Sequence, residues 1–464
     1  YKCSHAVDCY DLRDNVFSPQ NNKRRRQHMA QTPDTAADTQ DVSHRITPAY
    51  RRYALLILVL AYTSSHVDRN IVGILIEPLK ADLLLSDTQL GFLSGIAFAL
   101  FYATLGIPIA IFADRSNRRN IIAWSIAIWS AMTAVCGLAQ NFWQLAIARI
   151  GVGIGEAGSS PPSHSMIADL YPKEQRSSAM SIYALGVYLG IMIGFIVGGF
   201  VAEWWGWRAA FFVVGLPGIL IALLVRFTMI EPPRGFADGV KPPPMGKVNI
   251  KAGFAVLWRV RTTRHVVLGV TLTALVGYGT IVWNPAFLIR SHGLTPGQVG
   301  LFLGPLMGVV GGLGAWIGGM LADKLAARDA SWNAWIVGLA KLLAIPFIIA
   351  FYMVDSTFWA LVVYCPAVFL GAFYLGPSFA MIQSLTPLRS RALASAIMLL
   401  VLNLVGLGLG PQLIGIVSDL ASGPFGSDSL RYALIGAAFV NIWACAHYYL
   451  AGRTIRQDLD TVDG

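Results

Sequence analysis

The sequence predicts an all-α membrane protein of twelve transmembrane helices, in two pseudo-symmetric halves of six, on three observations. Of its 464 residues 55% are hydrophobic and only 13% charged, against about 25% charged in a soluble domain. Twelve apolar stretches each approach the roughly 20 residues that about 30 Å of hydrocarbon requires. A short acidic-then-basic turn recurs at the same place in each half. The 46 glycines and 23 prolines fit the same solvent, because membrane helices tolerate both where neighbouring helices re-satisfy the backbone.

Residues 1–52 are polar, carry the basic run Lys23-Arg24-Arg25-Arg26 and lack the apolar core of a signal peptide. They read as a disordered cytoplasmic tail. Met29 follows the basic run, so 1–28 are expected to be an upstream, non-native extension. The first bundle, 53–230, holds spans 1 to 6 near 53–77, 88–112, 119–138, 141–167, 176–200 and 209–230. A basic, proline-bearing linker, 231–263, includes Glu231-Pro232-Pro233-Arg234 and Pro242-Pro243-Pro244. The second bundle, 264–451, holds spans 7 to 12 near 264–290, 297–322, 333–353, 357–383, 393–418 and 429–451, and a short tail, 452–464, follows.

With this topology 28 of the 35 Lys and Arg fall on the side of the two termini, four on the other side and three within spans. The positive-inside bias therefore puts both termini and the linker in the cytoplasm, in a plasma (inner) membrane. It also accounts for the net charge of +10 without nucleic acid as a partner. The cysteines, Cys3, Cys9, Cys136, Cys365 and Cys445, are odd in number and far apart, which is no disulfide framework. No metal site is expected.

The recurrent turn reads Ala113-Asp114-Arg115-Ser116-Asn117-Arg118-Arg119 after span 2 and Gly319-Met320-Leu321-Ala322-Asp323-Lys324 after span 8. Such a turn can set a carboxylate against a helix N-terminus or an arginine and latch the halves on one side. Asp114, Arg115, Arg118, Asp323 and Lys324 are the expected cytoplasmic gate. Small residues four apart let backbones approach. Gly186, Gly190, Gly194 and Gly198 in span 5, and Gly406 and Gly410 in span 11, the latter followed by Pro411 and then Gly415, predict close packing there.

Charge inside hydrocarbon is costly and faces a partner or a cavity, which singles out Asp68 and Arg69 in span 1 and Arg149 and Glu156 in span 4. Spans 7 and 10 offer Asn284 and Gln383 instead. Because spans 1 and 4 run in opposite directions, Arg149 is expected nearer Asp68 in depth. An Asp68–Arg149 pair follows, leaving Arg69 for an anion and Glu156 towards the cytoplasmic mouth. A carboxyl moved between water and a dry cavity changes its proton affinity. Asp68 and Glu156 are therefore the expected proton-coupling residues, with a static pair network as the alternative. His66 and His164 also lie in spans and are read as packing residues, with a proton relay as the alternative.

The two loops resemble the motif of the major facilitator superfamily, Gly-x-Leu-Ala-Asp-Arg-x-Gly-Arg-Arg/Lys. The first copy has Ala110 and Asn117 where the pattern has glycine, and the second loses its tail at Leu325-Ala326. From Tyr53 to Gly235 the chain resembles the Spinster-like branch. The resemblance rests on Asp68-Arg69, on Arg149-Ile150-Gly151-Val152-Gly153-Ile154-Gly155-Glu156-Ala157, on Ile167-Ala168-Asp169-Leu170-Tyr171-Pro172-Lys173-Glu174-Gln175-Arg176-Ser177 and on Glu231-Pro232-Pro233-Arg234-Gly235. In the second half it rests on Trp283-Asn284-Pro285-Ala286-Phe287-Leu288.

That resemblance implies a single-tailed amphiphile with an anionic or zwitterionic head as substrate, such as a lysophospholipid or sphingosine-1-phosphate; with the buried carboxyls, the expectation is a proton-coupled transporter working by alternating access, as a monomer. Arg69 and Arg149 would hold a phosphate, and Tyr62, Tyr183, Tyr278, Trp283, Phe287 and Phe373 would line the tail. Each of those aromatics has a core or lipid-facing placement as its alternative. Antiporters of this superfamily often carry Gly-Pro in span 5, where this chain has Gly190-Ile191, so that motif does not support antiport. A transporter of small organic anions or drugs is the second reading, and a non-transporting sensor the third. The sequence has no His-Glu-x-x-His, Gly-x-Ser-x-Gly or P-loop pattern. Neither an enzyme nor a cofactor is expected, and the proton gradient is the expected energy source.

Overall fold

The computed structural model describes residues 44–239, 250–387 and 390–463. The expectations for 1–43, among them the extension 1–28, and for 240–249 of the linker lie outside the described residues. The chain up to Arg51 is a unit of its own, of which the start of helix Pro48–Leu83 is described. Arg52–Gly464 form the other unit, and the described part of it is helices and turns.

Among the described residues eight helical stretches are long and apolar enough to cross a membrane; two of them hold two crossings each, which makes ten, and spans 1 and 4 bring the number to twelve. Spans 5 and 6 form one continuous stretch, Lys173–Thr228, which reverses at Gly206, where φ is +83°. Only glycine adopts that angle without strain. Spans 11 and 12 likewise lie in a single stretch, Leu393–Thr461, turned at Gly426. Span 1, within Pro48–Leu83, escapes an apolarity test because Ser64 to Asn70 place polar groups at its middle. Span 4 escapes a length test because it breaks into Phe142–Glu156 and Ser160–Leu170. Span 2 is broken too, into Asp87–Ser94 and Ile96–Asp114.

The glycine stripes act where they were expected. A Cβ on Gly190 would lie 2.4 Å from His66 Cβ and 2.6 Å from Thr63 O, so span 5 rests directly on the backbone of span 1. A Cβ on Gly410 would lie 2.3 Å from Leu275 O, which is the same contact between spans 11 and 7. Gly153 and Gly155 wedge span 4 against Phe98 O of span 2 and Trp129 N of span 3. Between the halves, span 5 packs on span 8 and span 2 on span 11. Both of these seams carry a π-helical turn, Leu306–Val310 in span 8 and Leu402–Leu409 in span 11, a feature frequent at functional sites.

Candidate functional site

Glu156 is the last residue of helix Phe142–Glu156, so the break in span 4 delivers its carboxylate to span 1. There Ser65 and Arg69 lie one turn apart on one face. Ser65 Oγ donates to Glu156 Oε2 at 2.8 Å and Arg69 Nη2 donates to the same oxygen at 2.5 Å. The Arg69 guanidinium also lies 4.9 Å from the Phe98 ring centre and 4.6 Å from that of Tyr102. Glu156 is 1% exposed, and its Oε1 accepts no hydrogen bond among the described residues.

Asp68 is fully buried, and neither of its carboxyl oxygens accepts a hydrogen bond among the described residues. Thr133, Trp129 and Arg149 face it without closing one of good geometry. Arg149 spends its donors on main chain, Nε on Leu93 O at 3.3 Å and Nη1 on Asp68 O at 3.5 Å, and lies over Phe98. The expected Asp68–Arg149 side-chain pair is therefore replaced by an Arg69–Glu156 pair. Two breaks account for it: the one in span 4 turns Glu156 towards Arg69, and the one at Gly95 leaves a carbonyl nearby for Arg149. Arg69, expected to be available for an anion, is occupied in this conformation.

The expected lining aromatics divide. Tyr62 and Tyr183 stack with ring centres 4.3 Å apart, and His164 meets Tyr183 edge-on at 5.2 Å. His66 Nδ1 lies 3.0 Å from Tyr62 O, a packing contact. Tyr278 lines a cavity of about 240 Å³ between span 5 and spans 7, 8, 9, 10 and 12, together with Tyr188, Lys341 and Asn441. Trp283, Phe287 and Phe373 do not line it. The Trp283 indole donates to Pro411 O at 2.8 Å, Phe287 packs on Phe351 and Tyr352, and Phe373 sits against Phe369 and Gly318. Each fills a helix contact that needs a large ring. Asn284 accepts from Tyr352 Oη at 2.7 Å and donates to Tyr364 Oη at 2.5 Å.

At the ends of the spans opposite the termini, ionic contacts join the halves. Arg290 of span 7 grips Asp87 of span 2 through two 2.7 Å bonds and donates Nε to Glu77 of span 1 at 2.7 Å. Lys80 and Ser418 also donate to Asp87, at 2.6 and 2.7 Å. The Asp419 carboxylate accepts from the Asp87 and Thr88 amides at the start of span 2, where the helix dipole favours an anion. Sequence reasoning missed this seal. Its signal was opposite charges at the outer ends of spans 1, 2, 7 and 11, on a side nearly free of Lys and Arg.

At the other end, the expected gate residues form no ion pair between the halves among the described residues. Arg118, fully buried, binds within its own half: Nε donates to Glu231 at 2.7 Å, Nη1 to Ser165 at 2.8 Å and to Asp169, and Nη2 to Pro232 O at 2.7 Å. It staples the ends of spans 3, 4 and 6, not one half to the other, because it begins span 3 beside both of the other ends. Arg115, Asp323 and Lys324 are exposed and form no ion pair among the described residues. The Asp114 side chain lies outside the described residues.

Residues 58–411 match the model of the Major Facilitator Superfamily. The chain is 34% identical over 428 residues to an MFS-type efflux pump of Mycolicibacterium smegmatis, across 92% of this chain and 98% of that protein. It is 28% identical to human Protein spinster homolog 1, across 79% of this chain and 73% of that one. A crystal structure of a bacterial homolog of the human lysosomal transporter Spinster, inward-facing and unoccupied, superposes with a TM-score of 0.82. It is 33% identical and covers 89% of this chain and 99% of its own. Among the described residues, ionic contacts join the two halves at the end opposite the termini, and those on the termini side stay within one half. The chain is an integral membrane protein that belongs to the Major Facilitator Superfamily, in its Spinster-like branch.

Proposed function

We propose that the protein is a proton-coupled secondary transporter that moves a single-tailed amphiphile by alternating access, with both termini in the cytoplasm of a plasma (inner) membrane. The observation that carries this reading is the buried constellation of Asp68, Arg69, Arg149 and Glu156, in which one carboxyl is hydrogen-bonded and the other is not. Proton exchange at Glu156 releases or restores the Arg69 pair, and exchange at Asp68 changes the charge beside Arg149. Each step alters how spans 1 and 4 attract, which is the kind of differential contact that biases a two-state element. The protein works as a monomer, holds no cofactor, performs no covalent chemistry and draws its energy from the proton gradient.

Proteoliposomes with an imposed pH gradient, loaded with a labelled lysophospholipid, test it. Flux should follow the gradient in the parent and lose its pH dependence in Asp68→Asn and Glu156→Gln. Unchanged pH dependence in both variants rules out coupling through these residues. A second reading is a transporter of small organic anions or drugs; the likeness to a Mycolicibacterium smegmatis efflux pump supports outward movement for it. Competition between lysolipids and small carboxylates for the same flux separates the two.

A further inference from the structure

Lys341 sits near the middle of span 9, nine residues into helix Trp332–Met353, or about 14 Å from its start at 1.5 Å per residue. The residue is only 7% exposed. It lines the cavity between span 5 and the second half. Its ammonium donates to Gly371 O at 2.7 Å and lies 4.9 Å from the Tyr374 ring centre. No carboxylate pairs with it among the described residues. An ammonium has three protons to give, and one carbonyl takes one. The first half is arranged otherwise, since Glu156 neutralises Arg69, and Arg149 is 1% exposed and held by two carbonyls.

We propose that Lys341 is the anion-recognition residue of a substrate site in the second half, taking the phosphate or carboxylate head of a single-tailed amphiphile while the apolar cavity wall takes its chain. The proposal rests on the amphiphile reading above and moves headgroup recognition from Arg69 and Arg149 to span 9. Chemistry supports it on two sides. A buried cation without a carboxylate is stabilised by an anionic ligand. The wall it faces is apolar in Val187, Ile191, Val276, Met307 and Ile348 and polar chiefly at tyrosine and threonine hydroxyls. This is the lining expected of a site that fixes a head by a few polar groups and leaves a chain unspecified. As a compact point charge, lysine suits a head of variable geometry better than a bidentate arginine fork does.

The test is equilibrium binding to the purified full chain of three probes: dodecyl phosphate, dodecylphosphocholine and a small aromatic carboxylate. The variants are Lys341→Gln, Lys341→Arg and Ala344→Asp, the last placing a carboxylate one turn from an intact Lys341. Monodisperse elution is required of each. Lys341→Gln should weaken dodecyl phosphate at least tenfold and dodecylphosphocholine less than threefold, while Lys341→Arg stays near the parent. Should Lys341→Gln fail to fold, Ala344→Asp must give the same selective loss. Dodecyl phosphate binding that is unchanged in Lys341→Gln, or in Ala344→Asp when that variant stands in for it, overturns the role of Lys341 and leaves the amphiphile reading standing. A parent that binds neither amphiphile, yet binds the carboxylate in a Lys341-dependent way, overturns the amphiphile reading and keeps the anion site.

Discussion

In the first half, Gly190 lays span 5 on the backbone of span 1; in the second, Gly410 lays span 11 on that of span 7. The two halves share this scaffold and fill it differently. Spans 1 and 4 enclose two carboxyls and two guanidiniums, whereas span 7 and its neighbours enclose the neutral Asn284–Tyr352–Tyr364 network and a single ammonium. Both halves keep the close helix contacts, which depend on small residues. They differ in the ionisable groups they bury.

The sharpest way to break this contrast is to neutralise the first-half carboxyls. Glu156→Gln is expected to abolish gradient-driven flux while leaving substrate counterflow, measured in the same vesicles. If counterflow and driven flux fall together, the residue holds structure and not coupling. Next in size is Arg118→Ala, which leaves Asp169 and Glu231 facing each other with their shared cation removed. It should cost about 3–5 kcal/mol, read as a large fall in thermal midpoint in detergent. A small change would mean that the staple inside the first half contributes little.

A smaller effect is expected at the outer seal. Arg290→Gln removes the centre of a mostly buried ionic cluster and should cost the sealed conformation about 2 kcal/mol or more, a shift of roughly 30-fold in population. Spin-label distances across the outer ends of spans 2 and 11 report it, and an unaltered distance distribution would show that glycine packing alone keeps that end shut. Gly190→Ala and Gly410→Ala should each destabilise by about 1 kcal/mol or more, because both Cβ atoms meet backbone or a side-chain root. Very unequal costs would end the claim of a shared scaffold.

The smallest effect lies in the loop after span 8. A hydrogen bond from Arg456, with a second from the Ser331 amide, holds the Asp329 carboxyl down to about 2. A depressed folded value means that the contribution is present above the unfolded value of about 4 and is lost as pH falls towards about 2. Arg456→Gln should raise the Asp329 midpoint in a carboxyl NMR titration. The thermal midpoint at neutral pH should barely move, since this exposed pair is screened.

The fold was legible because hydrocarbon admits few solutions. Long apolar runs must be helices there, because only a helix satisfies its own backbone. The stripes of Gly190 and Gly410 were legible for a similar reason, since glycine every four residues makes a flat helix face. Asp68, Arg69, Arg149 and Glu156 were recognisable one by one, because charge in a span needs an explanation. Their partners were not. Helical spacing alone cannot show that span 4 breaks after Glu156 or span 2 at Gly95, and those breaks decide which carboxylate meets which arginine.

Trp283, Phe287 and Phe373 show the same limit, since a large ring fits a cavity wall and a helix contact equally well until its neighbours are known. Lys341 was visible as a charge inside span 9, yet nothing nearby in the chain tells that it faces Gly371 and a cavity. The sequence by itself determined the solvent, the crossings and the residues that had to be buried, since all of these follow from local transfer free energies. Only the tertiary structure decided the Arg69–Glu156 pair, the seal at Asp87 and Arg290 and the carboxylate-free setting of Lys341. Those depend on rotations and breaks of helices that are far apart in the chain and adjacent in space.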